Sequence, residues 1–140
     1  MNVEVRLAKK GDLGIIHGIL EEIQPCDISA RLQKYELAID SKFSTYLVAV
    51  SEEKVIGFLN VWHIPDVVDG GMLGIILDCY VSKESRHMGV GRMLLGSAIE
   101  VCKRNNVNKI CGWIAPDNKS AISLMKSFGF SSESLLLEKK

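Results

Sequence analysis

The chain has 140 residues, 47% of them hydrophobic and 24% charged, enough for one ordinary core and too few for two comfortable domains. Seventeen basic residues balance seventeen acidic ones, so no global field favours nucleic acid or an anionic membrane, and neither is expected as a partner. No apolar run reaches the roughly 20 residues of a membrane span, and the opening MNVEVRLAKKGD holds no signal-peptide core. These features predict a single soluble domain, residues 1–140, in the cytoplasm. Cys26, Cys79, Cys102 and Cys111 show neither the close pairing of a zinc site nor the density of a disulfide scaffold. They are expected to be reduced and mostly in the core, with no metal bound.

Residues 3–8, VEVRLA, alternate apolar and charged side chains and predict a strand, after which KKGDLG supplies a turn. Ile15, Ile16, Ile19, Leu20 and Ile23 fall at helical spacing behind Asp12, a candidate N-cap, until Pro25 interrupts them. A second helix is expected over 29–39. Residues 44–64, STYLVAVSEEKVIGFLNVWHI, hold two β-rich runs around a short polar turn, a hairpin pattern. The loop PDVVDGG leads into MLGIILDCYV, residues 72–81, a nearly continuous apolar run that suits a central strand covered on both faces. A helix to about Arg104 follows, with Leu94, Leu95, Ala98, Val101 and Cys102 as its buried stripe, and NKICGWIA returns as a strand. Pro116-Asp117-Asn118 opens a last helix carrying Ala121, Leu124, Met125 and Phe128, which Gly129 closes, and a final strand is expected over 134–138. The order β-α-α-β-β-β-α-β-α-β predicts a three-layer α/β/α sandwich around a mixed sheet of about six strands. Its late strand-helix-strand unit would supply a parallel pair by a right-handed crossover. Ligands of such sheets gather at the carboxyl ends of strands, where residues 72–81 run out.

That strand runs into SRHMGVGRML, residues 85–94, which sets Gly89 and Gly91 at the opening of a helix. Glycine in a helix costs about 1 kcal/mol relative to alanine, so something must offset it. A bound phosphate would do so, because glycine lets the backbone approach a ligand and the first helical turn carries unpaired N–H groups and the positive dipole end. A plain glycine turn between strand and helix is the other reading. A nucleotide P-loop is disfavoured, since no Gly-Lys-Ser/Thr follows.

The longer segment YVSKESRHMGVGRMLL resembles the acetyl-coenzyme A signature of the GNAT superfamily of N-acetyltransferases: a strand ending in valine, four residues, then Arg or Gln-x-x-Gly-x-Gly or Ala. Val81 ends the strand, Arg86, Gly89 and Gly91 fill the pattern, and His87 stands where many members carry another glycine. The likeness extends to VEVRLAKKGDL, to the hairpin and to APDNKSAISLMKSFGF, and so covers nearly the whole chain. It implies acetyl-CoA as cofactor, with residues Arg86, His87, Met88, Gly89, Val90, Gly91 and Arg92 as the pyrophosphate loop. The backbone amides of His87, Gly89, Gly91 and Arg92 would be its donors. It further implies that Cys79, Tyr80 and Val81 pair their backbone with the pantetheine arm and that Asn118 touches that arm; a helix cap is a second role open to Asn118.

Acetyl transfer to an amine requires that the attacking nitrogen lose its proton and that the thioester oxygen meet hydrogen-bond donors. An alkylamine of pKa near 10 is only about one part in a thousand neutral at pH 7. Asp78, between Leu77 and Cys79 in a doubly covered strand, is the candidate base, because burial raises a carboxylate pKa. A carboxylate tied to backbone N–H groups, or one that only selects a cationic substrate, is the alternative. Asp78 also falls on the acidic position of the Glu-Asp-x-Tyr-Val pattern of polyamine-acetyltransferase relatives, although Leu77 replaces the glutamate. The resemblance points to the N–H near Tyr80 or Val81 as donor to the carbonyl. Many members place a tyrosine four residues before the closing glycine as general acid, and Met125 stands there in this chain. Tyr80, which shares a strand face with Asp78 by period two, Ser123 or water would then serve, or no acid is needed for a thiolate of pKa near 8.5.

His63, at a strand end, is expected to be structural rather than to line an acceptor pocket, and His17 to be surface or interhelical. Cys79 has no visible partner to activate it as a nucleophile. Trp62 and Trp113 are expected in the core. A primary-amine acceptor, small molecule or protein, is expected as partner, a homodimer is possible by analogy with relatives, and a non-catalytic acyl-CoA sensor on the same fold is the competing function. Residues 29–43 and 65–71, which would choose the acceptor, carry no motif.

Overall fold

The computed structural model describes residues 2–140. In chain order it contains β1 (Glu4–Leu7), α1 (Leu13–Glu21), α2 (Ile28–Asp40), β2 (Ser44–Ser51), β3 (Lys54–Asp66), β4 (Gly71–Val81), α3 (Val90–Arg104), β5 (Val107–Gly112) and α4 (Lys119–Ser127), with short 3-10 turns at Lys10–Asp12 and Lys83–Ser85. The strands form one sheet in the order β1-β2-β3-β4-β5, antiparallel except for the parallel pair β4–β5.

The period-two alternation of the strands splits the core in two. Leu47, Ala49, Leu59, Val61 and Ile76 point toward α3, where the whole expected stripe Leu94, Leu95, Ala98, Val101 and Cys102 is buried, and Leu124 and Met125 of α4, with Phe128 at its C-cap, pack at its margin. Val48, Val55 and Phe58 point the other way, against Leu13, Ile16 and Ile19 of α1 and Tyr35 of α2. The result is the three-layer sandwich predicted from the sequence.

Several local expectations change. Among the described residues five strands form, not six: residues 131–140 adopt no regular structure, and Leu135 and Leu137 are 85% and 83% exposed. A strand there needs a buried face, and none of the described elements covers the Leu135–Leu137 run. Asp12 does not cap α1 through its side chain; its carboxylate takes two hydrogen bonds from Arg6, at 2.8 and 3.0 Å, and one from the Lys9 amide at 2.7 Å. Asp27 caps α2 instead, accepting from the Ala30 amide. Ile15 and Ile23 drift out of the α1 stripe into solvent. All four cysteines are free thiols, but only Cys102 is in the core. Gly129 closes α4 as expected, at φ 95°, with the Phe130 amide donating to the Met125 carbonyl.

Candidate active site

The site begins with one extra residue. The register of β3 and β4 passes from Asn60 opposite Asp78 to Val61 opposite Ile76, so Leu77 is bulged out of the ladder. The bulge reverses the parity of β4: Ile76 faces α3, whereas Asp78 and Tyr80 face the α1/α2 layer, Tyr80 with its ring 5.7 Å from Phe58. On its other side β4 pairs with β5 only as far as Ile76 opposite Gly112. Beyond that point the strands part, and residues 77–81 offer a backbone edge with no β5 partner. A cleft of about 500 Å³ opens there, walled by Leu77–Val81, by Gly112–Ala115 and by the near faces of α3 and α4.

One end of the cleft is the start of α3. His87 and Gly89 take left-handed backbone conformations, φ 62° and 82°, which turn the chain sharply into the helix. The first intrahelical bond runs from the Met93 amide to the Gly89 carbonyl, so the amides of Val90, Gly91 and Arg92 have no helical acceptor. Gly91 is informative because nothing in the fold demands it: a Cβ there would lie 3.5 Å from Leu124, an ordinary contact, at this end of the cleft. Its absence keeps that end open, as close approach by a phosphate requires. Arg86 donates from Nε to the Val81 carbonyl at 3.1 Å and pins the loop to the strand end, while Arg92 lies over the Phe128 ring at 5.3 Å.

Of the residues singled out from sequence, Asp78, Cys79, Tyr80, Val81, Arg86, His87, Gly89, Val90, Gly91, Arg92 and Asn118 all line this one cleft. Met88 does not; its side chain is 56% exposed and outside the wall. Asn118 is the N-cap of α4, its Oδ1 accepting from the Ala121 amide at 3.2 Å and from Ser120 Oγ at 3.3 Å. Its NH2 group has no protein acceptor among the described residues. Ser123 lies exposed on the outer side of α4, away from the cleft, whereas Met125 is in the wall.

Burial raises the Asp78 pKa. Among the described residues no hydrogen bond or ion pair satisfies its carboxylate, so it is not tied to a loop backbone. Burial also raises Tyr80, with Asp78 and Cys79 adding to the shift. Cys79 is exposed in the cleft wall; desolvation and then Asp78 push its thiol up to about 11, which keeps it protonated and a poor nucleophile at neutral pH. His63 is buried opposite Gly74, away from the cleft, with Nε2 unpartnered and a pKa lowered by burial. His17 bridges α1 to Arg31 of α2, 2.9 Å from Nδ1. Trp113, expected in the core, is 52% exposed in the cleft wall. Tyr46 carries no signal in the sequence, because only the register shows that it shares a row with Asp78.

A mixed α/β sandwich whose parallel strands part beside a glycine-opened helix belongs to the open-sheet class, in which ligands gather at the strands' carboxyl ends, where this cleft lies. The chain belongs to the acetyltransferase (GNAT) family, whose pattern matches residues 16–130. A Bacillus subtilis (strain 168) protein described as a putative ribosomal protein bS18-alanine N-acetyltransferase is 24% identical over 95 residues, which span 68% of this chain and 59% of that protein. A Bacillus halodurans C-125 protein described as a transcriptional regulator shares the fold with a TM-score of 0.91 at 21% identity, over 99% of each chain. The aminoglycoside N-acetyltransferase AAC(6')-Iy, solved with CoA, gives 0.86 at 18% identity, over 99% of this chain and 95% of its own. At these identities the likeness to solved structures establishes the fold.

Proposed function

We propose that the protein transfers an acetyl group from acetyl-CoA to a primary amine by direct attack within a ternary complex. The observation that carries this reading is that one cleft is lined both by Val90, Gly91 and Arg92, whose amides have no helical acceptor, and by Asp78, whose carboxylate is unpaired among the described residues. The pyrophosphate would sit on the amides of His87, Gly89, Gly91 and Arg92, in the space Gly91 leaves open. The partnerless edge of Cys79, Tyr80 and Val81 would pair with the pantetheine arm, and the Asn118 NH2 group would meet the same arm. Bound there, the cofactor supplies an acetyl thioester. The amine enters as an ammonium ion, and Asp78, made a stronger base by burial, takes its proton. A β4 amide near Tyr80 or Val81 donates to the carbonyl oxygen as negative charge builds on it. The nitrogen–carbon bond forms as the carbon–sulfur bond breaks. The nitrogen's second surplus proton would pass to the departing thiolate, of pKa near 8.5, so no protein acid is needed, consistent with a thioether at Met125.

Met125 also favours a second reading, a sensor that binds acyl-CoA without turnover. Calorimetric titration with acetyl-CoA, repeated on Gly89→Trp and Gly91→Trp, tests the cofactor site, and thiol release over a panel of amines tests catalysis. Binding lost in both tryptophan variants, with amine-dependent thiol release by the wild type, is the expected outcome. No binding by folded protein overturns the reading, and binding without thiol release leaves the sensor.

A further inference from the structure

The α1/α2 face of the sheet carries three polar groups that the fold leaves unsatisfied. Tyr46 on β2, Asn60 on β3 and Asp78 on β4 stand in one cross-strand row, and Tyr80 is the next residue along β4 on the same face. Asn60 is turned toward β2, its Nδ2 donating to Ser44 Oγ at 2.8 Å and to the Thr45 carbonyl at 3.1 Å, so it lends Asp78 no donor. A largely buried tyrosine ordinarily finds a partner for its hydroxyl, as Tyr35 does by donating to the Lys9 carbonyl at 2.8 Å. The hydroxyls of Tyr46 and Tyr80 have no such partner among the described residues. Their rings pack against fully buried Phe58, with centroids at 6.1 and 5.7 Å.

We propose that Asp78, Tyr46 and Tyr80 together seat the acceptor's ammonium group, and that the acceptor is a primary amine with a single positive charge on an apolar body. The proposal rests on the acetyl-transfer reading and assigns Tyr46 as an acceptor-binding residue. An ammonium ion has three N–H donors, and the face presents three acceptors: one carboxylate and two phenol oxygens. The desolvated carboxylate supplies the opposite charge, and the flanking tyrosine rings stabilise a cation beside them. The single charge follows from the count of acids. Among the described residues Asp78 is the one acidic side chain in the cleft wall, so a second or third ammonium would meet no further carboxylate there. The apolar body follows from the next row, where half-buried Trp62 and Ile75 stand opposite each other beside Asp78, and from Leu77 in the cleft wall.

Steady-state kinetics with acetyl-CoA and three acceptors test this: phenethylamine, spermidine and an aminoglycoside, each with wild type and Tyr46→Phe. The hydroxyl of Tyr46 bonds nothing among the described residues, so Tyr46→Phe should fold as the wild type does. Phenethylamine is expected to give the highest kcat/KM in the wild type. In Tyr46→Phe its KM should rise about tenfold, as loss of a hydrogen bond to a charged group predicts, with kcat and the KM for acetyl-CoA unchanged. An unchanged phenethylamine KM in Tyr46→Phe, or a preference for either polycation, overturns the proposal while leaving acetyl transfer standing. Thiol release with none of the amines, despite acetyl-CoA binding, removes the acetyl-transfer reading and this proposal with it.

Discussion

Asp78 is placed at a cost to the fold. Its charge is held partly out of water without an ion pair or hydrogen bond, and the raised pKa expresses that penalty. A group whose native pKa is raised destabilises the fold wherever it is ionised, and the penalty fades as pH falls and the carboxylate protonates. Asp78→Asn should therefore raise the thermal midpoint at pH 7, with the gain shrinking toward acid pH, while lowering kcat by about a hundredfold or more if Asp78 is the base. Thermal unfolding followed by fluorescence, beside thiol release, reads both. A variant that loses stability along with activity would mean that the carboxylate holds the fold together. Cys79, next to it, carries no such penalty at pH 7, since a thiol pushed up to about 11 is neutral there in the folded and the unfolded chain alike.

At the scale of elements, the turn between β2 and β3 stores strain that other residues would relieve. Glu52 and Glu53 both adopt positive φ, 50° and 65°, the geometry of a two-residue hairpin turn that favours Asn-Gly. The double substitution Glu52→Asn with Glu53→Gly should stabilise the protein by about 1 kcal/mol, measured by urea unfolding, with no effect on cofactor binding. The hairpin itself was legible from its two apolar runs, and so were α3, from its stripe, and β4, from its unbroken hydrophobicity, because each pattern reports burial directly. The bulge at Leu77 was not legible: leucine continues the apolar run, and only the pairing of β4 with β3 shows that one residue is surplus. Spacing therefore disclosed that Asp78 and Tyr80 share a face, but not that this face lies away from Ile76. The glycines were visible, yet the sequence could not separate a turn from a ligand site. Gly89 has the left-handed φ of a turn, whereas Gly91 has space for a side chain and lacks one. The run Leu135–Leu137 misled in the other direction, being strand-like in composition with none of the described elements to cover it.

For the whole molecule, three perturbed groups set how stability changes on acidification, and they differ in sign. His63 is buried with Nε2 unpartnered and its pKa lowered from 6.5 by desolvation. The unfolded chain therefore takes up this proton first, and stability that is complete above about pH 6.5 is lost as pH falls through the histidine's lower native value. Asp12 is lowered from 3.8, chiefly by the Arg6 hydrogen bonds, against desolvation, with the Lys9 amide adding to the effect. Its contribution is intact above about pH 4 and fades below that, when β1 loses its tie to the start of α1. Asp78, raised by burial, acts oppositely and returns a little stability as it protonates. Thermal midpoints should thus fall in two stages on acidification, the first below about pH 6.5 and the second below about pH 4. His63→Leu removes the titrating ring and fills much of its volume, so it should abolish the first stage and leave the second. If His63→Leu still lost stability just below about pH 6.5 as the wild type does, the first stage would belong to another group, and the buried imidazole would have to be accommodating its proton.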